Sequence, residues 1–149
     1  IITWVRTRKD FVPGAETDIA ETLHALASRF KRRCLVVLIS DLYDEPDAVL
    51  RALHHFRHRH HEVILFHVLD KAELEFPFRD MVSFVDLETN ERMRVDPAYV
   101  RDEYRSQIRQ FVEDYRRACA DAQIDYVLAD TSTPYDFMLS KYIAKRGRP

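Results

Sequence analysis

Two short stretches concentrate the oxygen donors of this 149-residue chain: Thr17-Asp18, and Ser40-Asp41 with Asp44 just beyond. Hydroxyl and carboxylate oxygens suit a hard cation such as Mg²⁺, and equally suit recognition of a partner's polar surface. Thr17, Asp18, Ser40, Asp41 and Asp44 are therefore the candidate binding residues, with Asp41 foremost. Nucleophilic catalysis reads poorly, because Ser40 has no histidine placed to serve it as a base. His54 and His58 lie four residues apart on one helical face, the spacing of a metal pair. No acid or cysteine is placed to complete a tetrahedron, so His54, His55, His58, His60 and His61 read as solvated. His67 sits inside an apolar run and reads as a hydrogen-bonded core histidine. Cys34 and Cys119 form no CxxC pair and read as buried free thiols of a reducing, cytoplasmic compartment.

The elements that must position these groups follow from periodicity. Cys34-Leu-Val-Val-Leu-Ile-Ser-Asp41 is a continuous apolar run with no alternation. Such a run predicts a strand covered on both faces and paired on both edges, as in the middle of a parallel sheet. Its polar end delivers Ser40 and Asp41 to the carboxyl edge, where open α/β sheets bind ligands. Before it, Ile19, Leu23, Leu26, Ala27 and Phe30 recur at helical spacing. That helix opens at Thr17 or Asp18 and closes on Lys31-Arg32-Arg33, whose charge complements the helix dipole. Asp44 ahead of Pro46 reads as the cap of a second helix reaching Arg59.

Glu62 to Leu69 is a second buried strand, ending at Asp70. Residues 81–87 and 92–95 alternate and predict an antiparallel hairpin. Asp96-Pro97 opens a long helix to Ala122, Tyr126 to Ala129 is a third strand, and Tyr135 to Lys145 is a last helix with Thr133 as its cap. The order predicts one domain over residues 1–149, a three-layer α/β/α sandwich with a mainly parallel sheet and Rossmann-type topology. Loops 40–47, 70–72 and 130–134 should share the carboxyl edge. Three strands are few for four helices. The expectation is that strands upstream are missing, the chain opening on Ile1 as an excised piece would, or that a homodimer pairs through the free sheet edge.

Composition removes several classes. Only Gly14 and Gly147 are present, so neither a GxGxxG fingerprint nor a P-loop can be written. A formal net charge of −2 gives no support to nucleic-acid binding. No apolar stretch is long enough for a membrane span.

Gly14-Ala-Glu-Thr-Asp-Ile-Ala-Glu-Thr-Leu followed by Leu35-Val-Val-Leu-Ile-Ser-Asp41 resembles the second half of a von Willebrand factor type A domain. The run Arg32 to Leu42, His61-Glu-Val, Phe84-Val-Asp-Leu-Glu-Thr and Val95-Asp-Pro resemble a bacterial family catalogued as domain of unknown function fifty-eight. The resemblance covers nearly the whole chain. It implies a von Willebrand A-like fold and a noncatalytic protein-interaction role, with a MoxR-type AAA ATPase as a partner in assembling or remodelling complexes. It also implies an adhesion-type metal site in which Thr17 and Asp41 match the second and third parts. The first part, DxSxS, is absent, and Leu42 stands where glycine usually follows the aspartate. No bound ion is expected in this chain, and Mg²⁺ is left to a longer parent.

Two rival readings use Asp41 differently. A receiver-like phosphoacceptor domain would phosphorylate it, but needs an upstream acidic pair and a lysine soon after the last strand, and Asp130-Thr-Ser-Thr-Pro134 lacks that lysine. A Mg²⁺-dependent phosphoester hydrolase would use Asp41, Asp44 and Asp70 as ligands, converging within ~4 Å of two ions.

Overall fold

The computed structural model describes residues 19–85 and 92–147. The elements run α1 (Ile19–Arg29), β1 (Leu35–Ser40), α2 (Pro46–His58), β2 (Glu62–Leu69), α3 (Lys71–Glu75), β3 (Val82–Val85), β4 (Arg92–Val95), α4 (Pro97–Asp121), β5 (Asp125–Asp130) and α5 (Tyr135–Arg146). An all-parallel sheet in the order β1-β2-β5 is flanked by helices, the predicted α/β class. The hairpin forms as a separate antiparallel pair, with Val82 opposite Val95 and Phe84 opposite Met93.

The sheet's two faces are unequally covered. Val36 and Leu38 of β1, Val63 and Leu65 of β2 and Tyr126 of β5 pack with Leu23, Ala27, Leu53, Phe56, Tyr115 and Cys119 in the main core. Alternation along the strands turns Leu35, Val37, Ile39, Ile64 and Phe66 to the opposite face. There α5 lays Tyr142 edge-on against Phe66, ring centroids 5.7 Å apart, and donates its hydroxyl to Asp125 at 2.7 Å. Arg146 of the same helix pairs with Glu62.

Among the described residues the centre of the sheet falls to β2, and all its residues except the partly covered Glu62 and Val68 are buried. β1 is an edge strand among the described residues, and Val37 and Ile39 are 48% and 68% exposed. A run of apolar residues specifies a strand but not its place in the sheet; order follows from which strands the crossovers bring together.

Helix starts also shift by small steps. Glu45, not Asp44, caps α2, accepting the Ala48 N–H at 2.9 Å, with Pro46 in the first turn. Asp96 caps α4 through the Ala98 N–H at 3.0 Å, ahead of Pro97, as predicted. Thr133 caps nothing: Pro134 holds the cap position of α5 and no side chain bonds that turn. α1 ends at Arg29, so Lys31-Arg32-Arg33 lies beyond it, and Arg33 pairs with Glu62 at 3.1 Å. His61 is buried rather than solvated, taking the Cys34 N–H on Nδ1 at 3.2 Å. Both cysteines are free; Cys119 is buried and Cys34 only partly so.

Candidate functional site at the carboxyl edge

Parallel pairing carries the ends of β1, β2 and β5 to one edge: Ser40 lies opposite His67, and Leu69 opposite Asp130. The three predicted loops therefore leave the sheet side by side. Thr17 and Asp18 lie outside the described residues. Ser40, Asp41 and Asp44 all stand at this edge, but their side chains have different tasks.

Asp44 is a structural acid. Its Oδ2 accepts the Ile19 N–H at 2.9 Å and its Oδ1 the Glu45 N–H at 2.7 Å. It thus holds the first turn of α1 against the loop after β1, satisfying a helix-end donor that has no partner within the helix. Asp70 is another. It caps α3 in a capping box with Glu73, and its Oδ2 accepts the Thr131 hydroxyl at 2.6 Å, stitching the β2 and β5 exits together. The Thr131 and Ala72 bonds hold the Asp70 carboxyl below the usual carboxylate range. Asp130 takes the Ser132 N–H on Oδ1 at 2.8 Å.

Asp41 differs from all three. Its side chain is exposed and, among the described residues, bonds no backbone N–H; its one partner there is the Ser40 hydroxyl, 3.4 Å from Oδ1. Its backbone, by contrast, is tightly held. The fully buried His67 ring reaches the Asp41 carbonyl oxygen from Nε2 at 3.1 Å and the Tyr126 hydroxyl from Nδ1 at 2.8 Å. A carbonyl can only accept, so Nε2 carries the proton and the Tyr126 hydroxyl donates to Nδ1. Phe111, Tyr115 and Tyr126 meet the imidazole edge-on, at interplanar angles of 80°, 63° and 76°. That burial pushes the His67 pKa down to about 4, although the Asp41 carbonyl bond works the other way. His67 is a neutral strut at neutral pH, and both its nitrogens are engaged away from Ser40.

The residue after Asp41 completes the loop's rigidity. Leu42 adopts φ 61 and is fully buried. A non-glycine side chain in the left-handed region is strained, and burial of the leucine in the main core compensates. The Ser40 hydroxyl oxygen accepts the Leu42 N–H at 3.1 Å. Tyr43 then stacks flat on Phe111, centroids 6.0 Å apart, and donates to Glu73 at 3.3 Å.

Among the described residues, no group of three or more His, Cys, Asp or Glu is placed to hold a metal ion. Of the edge residues Ser40, Asp41, Asp44, Asp70 and Asp130, only Asp41 holds no backbone N–H, and a single carboxylate does not amount to a ligand set. The sequence reading missed three features here. The Asp70-Lys-Ala-Glu73 spacing signals the capping box; the turn at Leu42 and the pairing of His67 with Asp41 have no local signal.

A family model described as protein of unknown function DUF58 matches residues 2–114, well over half of the chain, and stops within α4. No curated protein and no solved structure matches the chain.

Proposed function

We propose that this chain, which belongs to the family described as protein of unknown function DUF58, is a noncatalytic protein-interaction module that presents the carboxyl edge of its sheet to a partner. One observation carries this reading. Among the described acids of this edge, Asp41 is the one whose exposed side chain meets only the Ser40 hydroxyl while its own backbone is anchored by a buried histidine and followed by a locked turn. Its neighbours Asp44, Asp70 and Asp130 hold backbone N–H groups instead. A rigid, exposed carboxylate is pre-organised for recognition, since little ordering remains to be done on binding.

The resemblance to von Willebrand A-like domains supports the same edge as the docking face, since Thr17 and Asp41 match two parts of that fold's adhesion-site pattern. The partner class that goes with it is a MoxR-type AAA ATPase, engaged in assembly or remodelling of protein complexes, and cytoplasmic placement fits that partner. No helix among the described residues is long and apolar enough to cross a membrane.

The test is a titration of the fluorescently labelled chain with a purified MoxR-type ATPase, with and without Mg²⁺. Binding weakened at least about tenfold by Asp41→Ala, with an unchanged melting curve, is the expected result; a variant binding like the parent chain would move the interface elsewhere.

A further inference from the structure

The opposite margin of the sheet carries a second surface, far in chain position from Asp41. Among the described residues β5 pairs only with β2. The Thr131 N–H bonds the Leu69 carbonyl at 3.0 Å. Backbone groups of alternate residues point the same way in a parallel ladder, so Asp125, Val127 and Ala129 turn theirs to β2. The N–H and C=O groups of Tyr126 and Leu128 therefore face the free side, and no described residue bonds them. An unpaired strand edge is a template for another strand.

This edge is not flat and open. It forms the floor of a groove of about 730 Å³, walled by α4 on one side and α5 on the other. A second hollow of about 570 Å³ shares Arg116 and Leu128 with it and continues along α4. Apolar surface comes from Leu128, Phe137 and Met138, with Phe137 64% exposed. Basic residues outnumber acidic ones in the lining: Arg116, Lys141, Lys145 and Arg146 against Asp125 and Asp130. Lys141 and Lys145, one turn apart on α5, form no ion pair among the described residues. Arg116 lies over the Tyr126 ring, 5.9 Å from its centroid, and is already paired with Glu113 at 3.0 Å. The groove's acids are both hydrogen-bonded: the exposed Asp125 accepts from Tyr142, and Asp130 from the Ser132 N–H.

We propose that this groove binds an extended acidic peptide, added as a fourth strand along Tyr126 and Leu128, with its carboxylates toward Lys141 and Lys145. Strand addition of this kind draws affinity from backbone bonds and specificity from flanking side chains. The charge argues against a second copy of the chain as occupant. Symmetric edge-to-edge pairing would bring the two α5 lysine rows toward each other, and like charges facing across an interface disfavour it. The surface is separate from the Asp41 edge, so each can fail without the other.

The probe is a short fluorescein-labelled peptide of alternating valine and glutamate, followed by anisotropy against the full chain. Saturable binding is expected, reduced at least about tenfold by Lys141→Glu with Lys145→Glu and unaffected by Asp41→Ala. A peptide N-methylated on its pairing amides, which leaves the protein untouched, should lose binding similarly. Hydrogen exchange should show the Tyr126 and Leu128 amides protected by the peptide. The proposal is overturned by absence of saturable binding, by equal binding of the N-methylated peptide or of a valine–lysine peptide, or by protection of those amides that rises with protein concentration alone, which would mark a second copy on the edge.

Discussion

His67 Nε2 donates to the Asp41 carbonyl oxygen at 3.1 Å, tying the centre of the sheet to the loop that leaves its edge strand. Because the ring is buried and neutral, this tie has a pH signature. The unfolded chain takes up the proton near pH 6.5, whereas the folded ring resists it until about 4. Its contribution to stability is thus complete above pH 6.5 and declines as pH falls through that window, by a total on the order of 3 kcal/mol. Urea denaturation across pH 7 to 4 should show the decline. His67→Gln should flatten it and lower stability at pH 7 by about 2 kcal/mol, through the strained or lost bonds to Asp41 and Tyr126.

At Leu42 two effects oppose each other. Glycine would relieve the left-handed backbone, worth about 1–2 kcal/mol. It would also remove a side chain with no exposure, and emptying such a site costs about 2–5 kcal/mol. Burial wins, so Leu42→Gly should be less stable by about 1–3 kcal/mol in chemical denaturation. A more stable variant would mean that strain dominates the loop.

Asp44 and Asp41 should separate cleanly. Asp44→Ala strips the bond to the Ile19 N–H, and loss of a helix-end partner costs about 1 kcal/mol. Faster hydrogen exchange confined to the start of α1 should accompany it. Asp41→Ala, at an exposed side chain, should stay within about 0.5 kcal/mol of the parent. The same pair thus distinguishes a fold defect from a binding defect.

The strand order makes its own prediction. Leu65 on β2 is fully buried, and Leu65→Ala should cost about 2–5 kcal/mol. Ile39 on β1 is 68% exposed, and Ile39→Thr should cost no more than about 0.5 kcal/mol. Similar losses at both sites in thermal melts would return β1 to the interior.

Much of the fold was legible in local pattern. The unbroken run Glu62 to Leu69, the Asp96-Pro97 start of α4 and the alternation of residues 82–85 each name an element, because neighbours in sequence are neighbours on its surface. His67 read correctly as a bonded core histidine, since a polar ring inside an apolar strand needs a partner. The candidate site was legible only as a place. Ser40, Asp41 and Asp44 all reach the edge, yet Asp44 turned out to hold α1, a bond spanning 25 residues.

What the chain alone determined is every described element except the short α3, their order and the gathering of acidic loops at one sheet margin. Tertiary structure decided which strand is central, which carboxylates are consumed by helix ends, and which remains exposed. The division is physical: periodicity acts within a turn or a strand, whereas strand order and long-range hydrogen bonds exist only once distant segments meet.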